Sequence, residues 1–339
     1  MSNGMTLSAP QNLGSNTILT APPSKIYIVM GQVAVPENGH NNIATMYLST
    51  GTGPTPDTLR TVASVQFYKN KNDYITLNSA TMPVPINQTC DWTLSMAGDG
   101  VTSNPQVFYF EVTFPSGVAP PSSFASGSGA NNLAPCINGG AWTAPGDGFL
   151  VGYITGNSGI TQMIAKIKAP TGSSGNIAAA SEIYGTDVYM GSNSFCLPVC
   201  SSSVIEVSWQ DYQGGGNTAG ANAALFWLGF NNTVFQGGYT PLSTGLAYQA
   251  ANDLFVIGNV ASAGPADGNM KMWGSFGPSP EAMTQYVGSS VNWGKNRWLA
   301  YNSFLMPVPK GNWYRVDQQV RGGNPTPGAT AFMLPVIPR

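Results

Sequence analysis

Three stretches of this chain answer to one another. Each is built on a Pro-Val pair, at Pro83-Val84, Pro198-Val199 and Pro307-Val308. Asn-Ser lies upstream every time, at Asn78-Ser79, Asn193-Ser194 and Asn302-Ser303, and an apolar residue (Met82, Leu197 or Met306) stands immediately before each proline. Seven and nine places after each proline come Cys90 and Trp92, Ile205 and Val207, Tyr314 and Val316, with polar Asp91, Glu206 and Arg315 between them. Apolar residues that alternate with polar ones mark a half-buried strand. The same register therefore recurs three times.

Two further landmarks keep the same order. A strand-like opening precedes each motif: "TAPPSKIYIVMG" from Thr20, "TAPGDGFLVGYITG" from Thr143 and "QAANDLFVIGNVAS" from Gln249. The Asn of Asn-Ser follows these starts by 58, 50 and 53 residues. An aromatic run then closes each block, at Val107–Val112, Ala224–Gly229 and Ala331–Val336. Three landmarks in one order, three times over, predict three tandem copies of one unit of about 90 to 110 residues. The expected boundaries are an N-terminal arm over 1–18, a first repeat over 19–116, a linker over 117–141, a second repeat over 142–230, a linker over 231–248 and a third repeat over 249–339.

The apolar segments are short and rich in Val, Ile, Tyr, Phe and Trp, and turn signals such as Asp99-Gly100, Asp147-Gly148 and Asp267-Gly268 separate them. No window keeps a 3.6-residue apolar period over three turns, and "SPEAMTQYV" (279–287) is the best candidate for a short helical piece. The expected fold is all-β, three tandem β-sandwich (jelly-roll-like) domains, with Pro83, Pro198 and Pro307 each opening a strand.

Charged residues make up only 8% of the chain, against about 25% in an average soluble protein. Hydroxyls, amides and backbone must therefore form the surface. A net charge of −2 with scattered cations gives no footprint for nucleic acid. No apolar run reaches the length of a membrane span, and the first residues lack the basic and apolar regions of a cleaved signal. The expectation is a protein made in the cytosol, without nucleic-acid or membrane partners.

Catalytic chemistry is sparse. His40 stands in a turn-rich loop away from other ligating residues, the fifteen acids are dispersed, and the usual nucleophile and phosphate-loop motifs are missing. Cys90, Cys136, Cys196 and Cys200 show no paired zinc spacing and are expected as small buried apolar residues, and the sequons at Asn87 and Asn231 carry no weight without export. No enzyme activity, cofactor or metal is expected.

Aromatics are the suggestive class. Trp92, Trp209 and Trp227 fall within strand patterns and read as core. Trp142, Tyr212, Trp273, Trp293 and Trp298, together with Tyr239, sit beside Gly, Asn, Gln or Asp in loop-like contexts. A flat ring flanked by polar groups suits a sugar, whose face stacks while its hydroxyls are hydrogen-bonded; packing at a subunit rim uses the same residue types.

With these motifs in hand, the units resemble a β-sandwich unit of bacteriophage tail fibres and receptor-binding proteins. The second repeat carries the opening pattern best, in Thr143, Ala144, Pro145, Asp147 and Gly148, and the third carries the closing pattern best, in Ser303, Phe304, Pro307, Val308, Lys310 and Gly311. The first departs at Pro23-Ser24-Lys25, and the second has Ser201-Ser202 where Lys-Gly stands in the third. The resemblance implies a virion structural protein that contributes to attachment to host-surface polysaccharide, with other virion proteins as partners. Such units assemble as trimers in fibres, so the chain is expected as a homo-oligomer or as an intramolecular pseudo-trimer. The alternative is a capsid or capsid-decoration protein whose repeats serve packing alone; a free lectin and a glycan hydrolase stand behind it.

Overall fold

The computed structural model describes residues 5–36, 42–53, 59–67, 74–98, 105–126, 140–155, 159–169, 176–185, 188–190, 192–211, 223–230, 234–235, 238–261, 268–294, 297–299, 301–322 and 328–336. Among these the chain is all-β, without helix, and its sheets are antiparallel. The first repeat runs through β1 (Thr6–Leu7), β2 (Gln11–Asn12), β3 (Leu19–Thr20), β4 (Lys25–Ala34), β5 (Asn42–Gly51), β6 (Leu59–Phe67), β7 (Tyr74–Ile75), β8 (Leu77–Val84), β9 (Thr89–Gly98) and β10 (Gln106–Thr113). The second comprises β11 (Ala125–Ser126), β12 (Ala141–Thr143), β13 (Gly148–Thr155), β14 (Gly159–Ala169), β15 (Asn176–Gly185), β16 (Val188–Met190), β17 (Ser192–Val199), β18 (Val204–Asp211) and β19 (Ala223–Gly229). The third comprises β20 (Thr240–Leu242), β21 (Ala247–Gln249), β22 (Leu254–Ala261), β23 (Gly268–Gly277), β24 (Thr284–Gly294), β25 (Arg297–Leu299), β26 (Tyr301–Val308), β27 (Trp313–Gly322) and β28 (Gly328–Pro335).

One strand order recurs in all three. The first sheets run β1-β10-β4-β8, β11-β19-β13-β17 and β20-β28-β22-β26; the second run β3-β9-β5-β6-β7, β12-β18-β14-β15-β16 and β21-β27-β23-β24-β25. Within the first repeat the two sheets enclose an apolar layer of Tyr27, Val29, Met46, Leu48, Met82 and Val84. The architecture is sandwich-like.

The opening strands are buried on both faces, and their sequence explains how. In β4 the run Ile26 to Met30 is apolar without interruption, where a half-exposed strand would alternate. Tyr27 and Val29 enter the layer inside their own sheet pair. Ile26 and Ile28 turn the other way, into a cluster that includes Phe149 and Val151 of β13 and Phe255 and Ile257 of β22. The first sheets thus face one another, and the repeats share their apolar interior.

The packing is cyclic. Strand β6 lies against β17 of the second repeat, β15 against β26 of the third, and β24 against β8 of the first, so the ring closes. At the last of these contacts a Cβ on Gly288 would stand 2.4 Å from Leu77 Cδ2, and the Gly288 N–H donates to Ser79 Oγ at 2.7 Å. Any larger residue at 288 would have to displace Leu77.

The segments that precede each repeat close the ring a second time. The backbone N–H three residues after each proline needs an acceptor. In the second repeat the Ser201 N–H donates to Asp147 Oδ1 at 2.6 Å, and in the third the Lys310 N–H donates to Asp253 Oδ1 at 2.6 Å. The other carboxylate oxygen takes an incoming segment: Asp147 Oδ2 accepts from Val234 and Phe235, which lead into the third repeat, and Asp253 Oδ2 accepts from Leu7 N–H at 2.9 Å. The first repeat has Ile26 at the matching register; there the Ile86 N–H donates to Pro121 C=O, in the segment leading into the second repeat, at 3.1 Å. Each leader therefore docks on the neighbouring repeat, and residues 5–7 do for the first what the linkers do for the others. Strands β1, β11 and β20 then add to their own sheets.

Two sequence expectations are corrected. Pro83, Pro198 and Pro307 lie at the ends of β8, β17 and β26 and do not open strands. Each of those strands ends its sheet's strand order, where a residue without N–H is tolerated. The stretch 279–287 is a turn, with the Ala282 N–H donating to Ser279 C=O at 3.1 Å, followed by β24. Pro280 suits the turn, and Tyr286 gains more from stacking on Phe276 at 4.2 Å than a short exposed helix offers.

Removing the shared acceptor separates docking from folding. Asp253→Ala is expected to lower stability by about 1.5–3 kcal/mol, the range for hydrogen bonds to a charged group, and to speed amide exchange at Leu7. Asp147→Ala is expected to expose the Val234 and Phe235 amides while Leu7 stays protected. Hydrogen-exchange mass spectrometry of the two variants checks both.

Candidate functional site

The motif that announces the repeats in sequence is also where they meet. Strands β8, β17 and β26 carry Asn78, Asn193 and Asn302 to one point, and all three side chains are fully buried. Asn78 Nδ2 donates to Asn193 Oδ1 at 3.3 Å, Asn193 Nδ2 to Asn302 Oδ1 at 3.4 Å, and Asn302 Nδ2 to Asn78 Oδ1 at 3.1 Å. The three amides form a closed ring. Each Oδ1 also accepts the N–H of the serine that follows, at 2.8, 2.9 and 2.9 Å. That second bond fixes each amide's orientation. Thr81 Oγ1 continues the seam by donating to Leu305 C=O at 3.2 Å.

A matching turn leads out of each of these strands. The Gln88, Ser203 and Asn312 N–H groups donate to Pro85, Cys200 and Pro309 C=O, and the third turn residue has positive φ each time: Asn87 (φ 60), Ser202 (φ 65) and Gly311 (φ 86). Asn and Gly adopt this region readily, whereas Ser202 does so at some cost.

Among the described residues, the aromatic residues singled out from sequence stand in different surroundings. Trp142 is only 7% exposed and packs edge-on against Trp227 with ring centroids 5.0 Å apart, which corrects its reading as an exposed sugar-stacking residue. It pairs with the strand that follows the Pro-Val motif, Trp142 opposite Ile205, and its ring is drawn into the core there. Tyr239 is half-buried, with its hydroxyl donating to Pro198 C=O. Trp273 is half-buried on β23, opposite Gly288 and Asp317. Trp293 and Trp298 are brought together: they are direct partners across the β24–β25 hairpin. Tyr212, His40 and Cys136 lie outside the described residues.

Of the tryptophans read as core, Trp227 is buried, Trp92 is half-buried with its Nε1–H donating to Leu13 C=O at 2.9 Å, and Trp209 lies on β18. Beside Trp227 an open cleft of about 410 Å³ is lined by Ser123, Phe124, Pro145 and Phe230. It holds no ionisable side chain.

Reactive groups are restrained. Among the described residues no three His, Cys, Asp or Glu side chains gather as a metal site would require. The carboxylate of Asp147 is consumed by three backbone N–H groups. Burial raises the thiols of Cys90 and Cys200 to about 12, with the negative charges of Asp91 and Asp147 adding to the effect, and burial also raises Cys196. These thiols stay protonated near neutrality and are poor nucleophiles. The arrangement is suited to holding three strands together and to presenting surfaces.

The chain matches no protein-family model and no curated protein sequence.

Two outcomes follow. Asn193→Ala removes the acceptor of the Asn78 Nδ2 and Ser194 N–H donors and one of the donors to Asn302 Oδ1 in a buried seam, and at about 1–3 kcal/mol for each buried group that loses its partner it is expected to cost about 2–5 kcal/mol in chemical denaturation. The triple Asn→Ala variant is expected to cost less than the sum of the single changes, because the second and third remove groups already orphaned. The raised thiols give a pH dependence. A folded value of about 12 above the ordinary 9.0 means that stability is complete below pH 9 and falls as pH rises toward 12. Cys90→Ala with Cys200→Ala should flatten that decline in thermal melts.

Proposed function

We propose that the chain is a non-enzymatic virion structural protein of a phage tail or fibre that contributes to attachment to host-surface glycans. In this reading the three repeats are jelly-roll units, and one chain supplies all three positions of what such fibres make from three chains. The asparagine ring carries the proposal. Three equivalent residues bonded head to tail imply three equivalent units about one axis, the arrangement from which weak single contacts gain strength by multivalency. The strand orders of the paired sheets support this reading, since two four-strand orders interleaved as in a jelly roll recur in each repeat, with short strands added at β2, β7, β16 and β25. The low charge is consistent with a surface that meets sugars through hydroxyls, amides and ring faces.

A second reading, a capsid or decoration protein, is favoured by one observation. Met96 and Val320 are 51% and 41% exposed at matching places on β9 and β27, thirteen residues after Pro83 and Pro307. Repeated apolar residues on outer sheets suit contact with neighbouring chains.

Solution mass and adhesion distinguish the two. The attachment reading expects a particle of one 35.5 kDa chain that is retained saturably on host cells or their extracted surface polysaccharide. Large ordered assemblies with no retention would replace it with the shell reading.

A further inference from the structure

The second sheets have a fixed centre in each repeat. The residue ten places after the proline of each Pro-Val pair is Thr93, Ser208 or Asp317, and its direct partner on the middle strand is Tyr47, Ile164 or Trp273. In the third repeat Met270, Met272 and Phe276 of β23 enter the core, so alternation along the strand sends Lys271, Trp273 and Ser275 to the opposite face. Strand β27 does the same: Tyr314 and Val316 are core residues, and Arg315, Asp317 and Gln319 face away from it. Trp273 is half-buried and belongs to none of the apolar clusters.

The neighbours of Trp273 are polar and held in place. Its partner Asp317 accepts a hydrogen bond from Arg315 Nε at 2.7 Å, and the two side chains are 19% and 39% exposed. Among the described residues that bond engages Nε and Oδ2 alone, which leaves the guanidinium Nη groups and Asp317 Oδ1 to a ligand. Gln319, one pair further along the same face, is exposed. On its other side Trp273 is paired with Gly288, where Leu77 of the first repeat fills the space that a side chain would need. The indole therefore lies between a wall made by the first repeat and a row of polar side chains on β27. The first repeat shows a different fate for such a ring: Arg60 lies over Tyr47, 5.3 Å from its centroid. At the register of Arg60, which is opposite Ser49, the third repeat has Gln285 opposite Ser275. Gln285 donates instead to Gln32 Oε1 of the first repeat at 2.8 Å and is committed to that seam. The second repeat has Ile164 at the centre and no ring. Alike in fold, the three repeats are unequal in what they present.

We propose that Trp273, Arg315, Asp317 and Gln319 form a platform on the third repeat that binds a sugar unit of a polysaccharide. The inference rests on the attachment reading and gives it a location. The chemistry of the face selects the ligand. Stacking on an indole requires a flat apolar face, and the guanidinium and carboxylate beside it require a rim that both accepts and donates hydrogen bonds. Adjacent hydroxyls on a pyranose ring do both. A nucleic acid stacks its bases as well, but its phosphates would meet the Asp317 carboxylate, which stands directly opposite the ring. An apolar protein partner would strip water from Arg315 and Asp317 without replacing its hydrogen bonds, a cost that interface cores avoid by excluding charge.

The experiment is retardation of the full chain in native gels containing dextran, alginate or lipopolysaccharide, with thermal melts in parallel. Trp273→Ala is expected to weaken binding about tenfold, the factor that corresponds to the upper end of one ring contact. Trp273→Ile, which installs the residue found at this register in the second repeat, is expected to do the same, and Trp273→Phe to keep most of the binding. Asp317→Asn and Arg315→Gln are each expected to weaken it severalfold while melting close to the wild type, because an exposed ion pair adds little to stability. Tyr47→Ala is expected to leave it unchanged. If the wild type binds a polysaccharide and Trp273→Ala binds it equally well, the platform is overturned and the attachment reading stands. Should Trp273→Ala melt early, Asp317→Asn and Arg315→Gln decide, and unchanged binding in both overturns the platform. Binding of an oligothymidylate in place of these polysaccharides, or self-association, that is lost in Trp273→Ala would overturn the sugar assignment. No retardation of the wild type by any of the three polysaccharides would overturn both readings.

Discussion

A carboxamide taken out of water must find both a donor and an acceptor, or it costs the fold about as much as a hydrogen bond adds. Asn78, Asn193 and Asn302 meet that demand by bonding head to tail, with the N–H of each following serine completing the oxygen's coordination. The solution exists only if all three strands arrive together. A two-membered arrangement breaks the ring, leaving one amide N–H without its ring acceptor and one amide oxygen without its ring donor. Apolar burial between the repeats supplies most of the attraction but is indifferent to register, since one methyl group packs nearly as well as another. The ring is not indifferent. It ties strand register to the number of repeats, and this is the use for which buried polar groups are best attested.

The leaders express the same closure in another form. One backbone N–H recurs three times, at Ile86, Ser201 and Lys310, and it is satisfied by a neighbour's carbonyl in the first case and by an aspartate in the others. The aspartate then uses its second oxygen to hold the incoming segment. Where the aspartate is replaced by Ile26, the incoming backbone supplies the acceptor itself. Opposite solutions in chemistry therefore give one solution in geometry. It follows that residues 5–7 are not an appendage: Met5 and Leu7 are 2% and 8% exposed and belong to the shared apolar cluster.

Much of this is legible in the sequence. The alternation in β9, β18 and β27 is visible in the sequence because these strands belong to the second sheets and keep one face toward solvent. The Asn-Ser pairs were visible as landmarks, but their role was not, since a closed ring of amides is a relation among residues more than one hundred positions apart. A usable signal was present in the uninterrupted apolar runs of β4 and β22, which demand burial on both faces. Trp142 misled because its flanking glycines and polar residues resemble a loop, while the strand β12 that holds it is only three residues long. Its fate was decided by Trp227, a tertiary contact that local composition does not encode.

Fusing three units into one chain frees them from identity. Three separate copies must carry the same residue at each position about an axis, so a substitution is made three times or not at all. Here the turn residue with positive φ is Asn, Ser or Gly, the docking acceptor is a carboxylate or a carbonyl, and the residues paired across the hairpin before each ring strand are Phe/Tyr, Tyr/Tyr or Trp/Trp. The ring asparagines alone keep full likeness among these positions, because a head-to-tail ring requires every member to be both donor and acceptor. Closure therefore constrains the ring residues, and the hairpins and turns differ among the three repeats. One position is thus fixed by the chemistry of a closed ring, while the others meet one geometric demand with different residues.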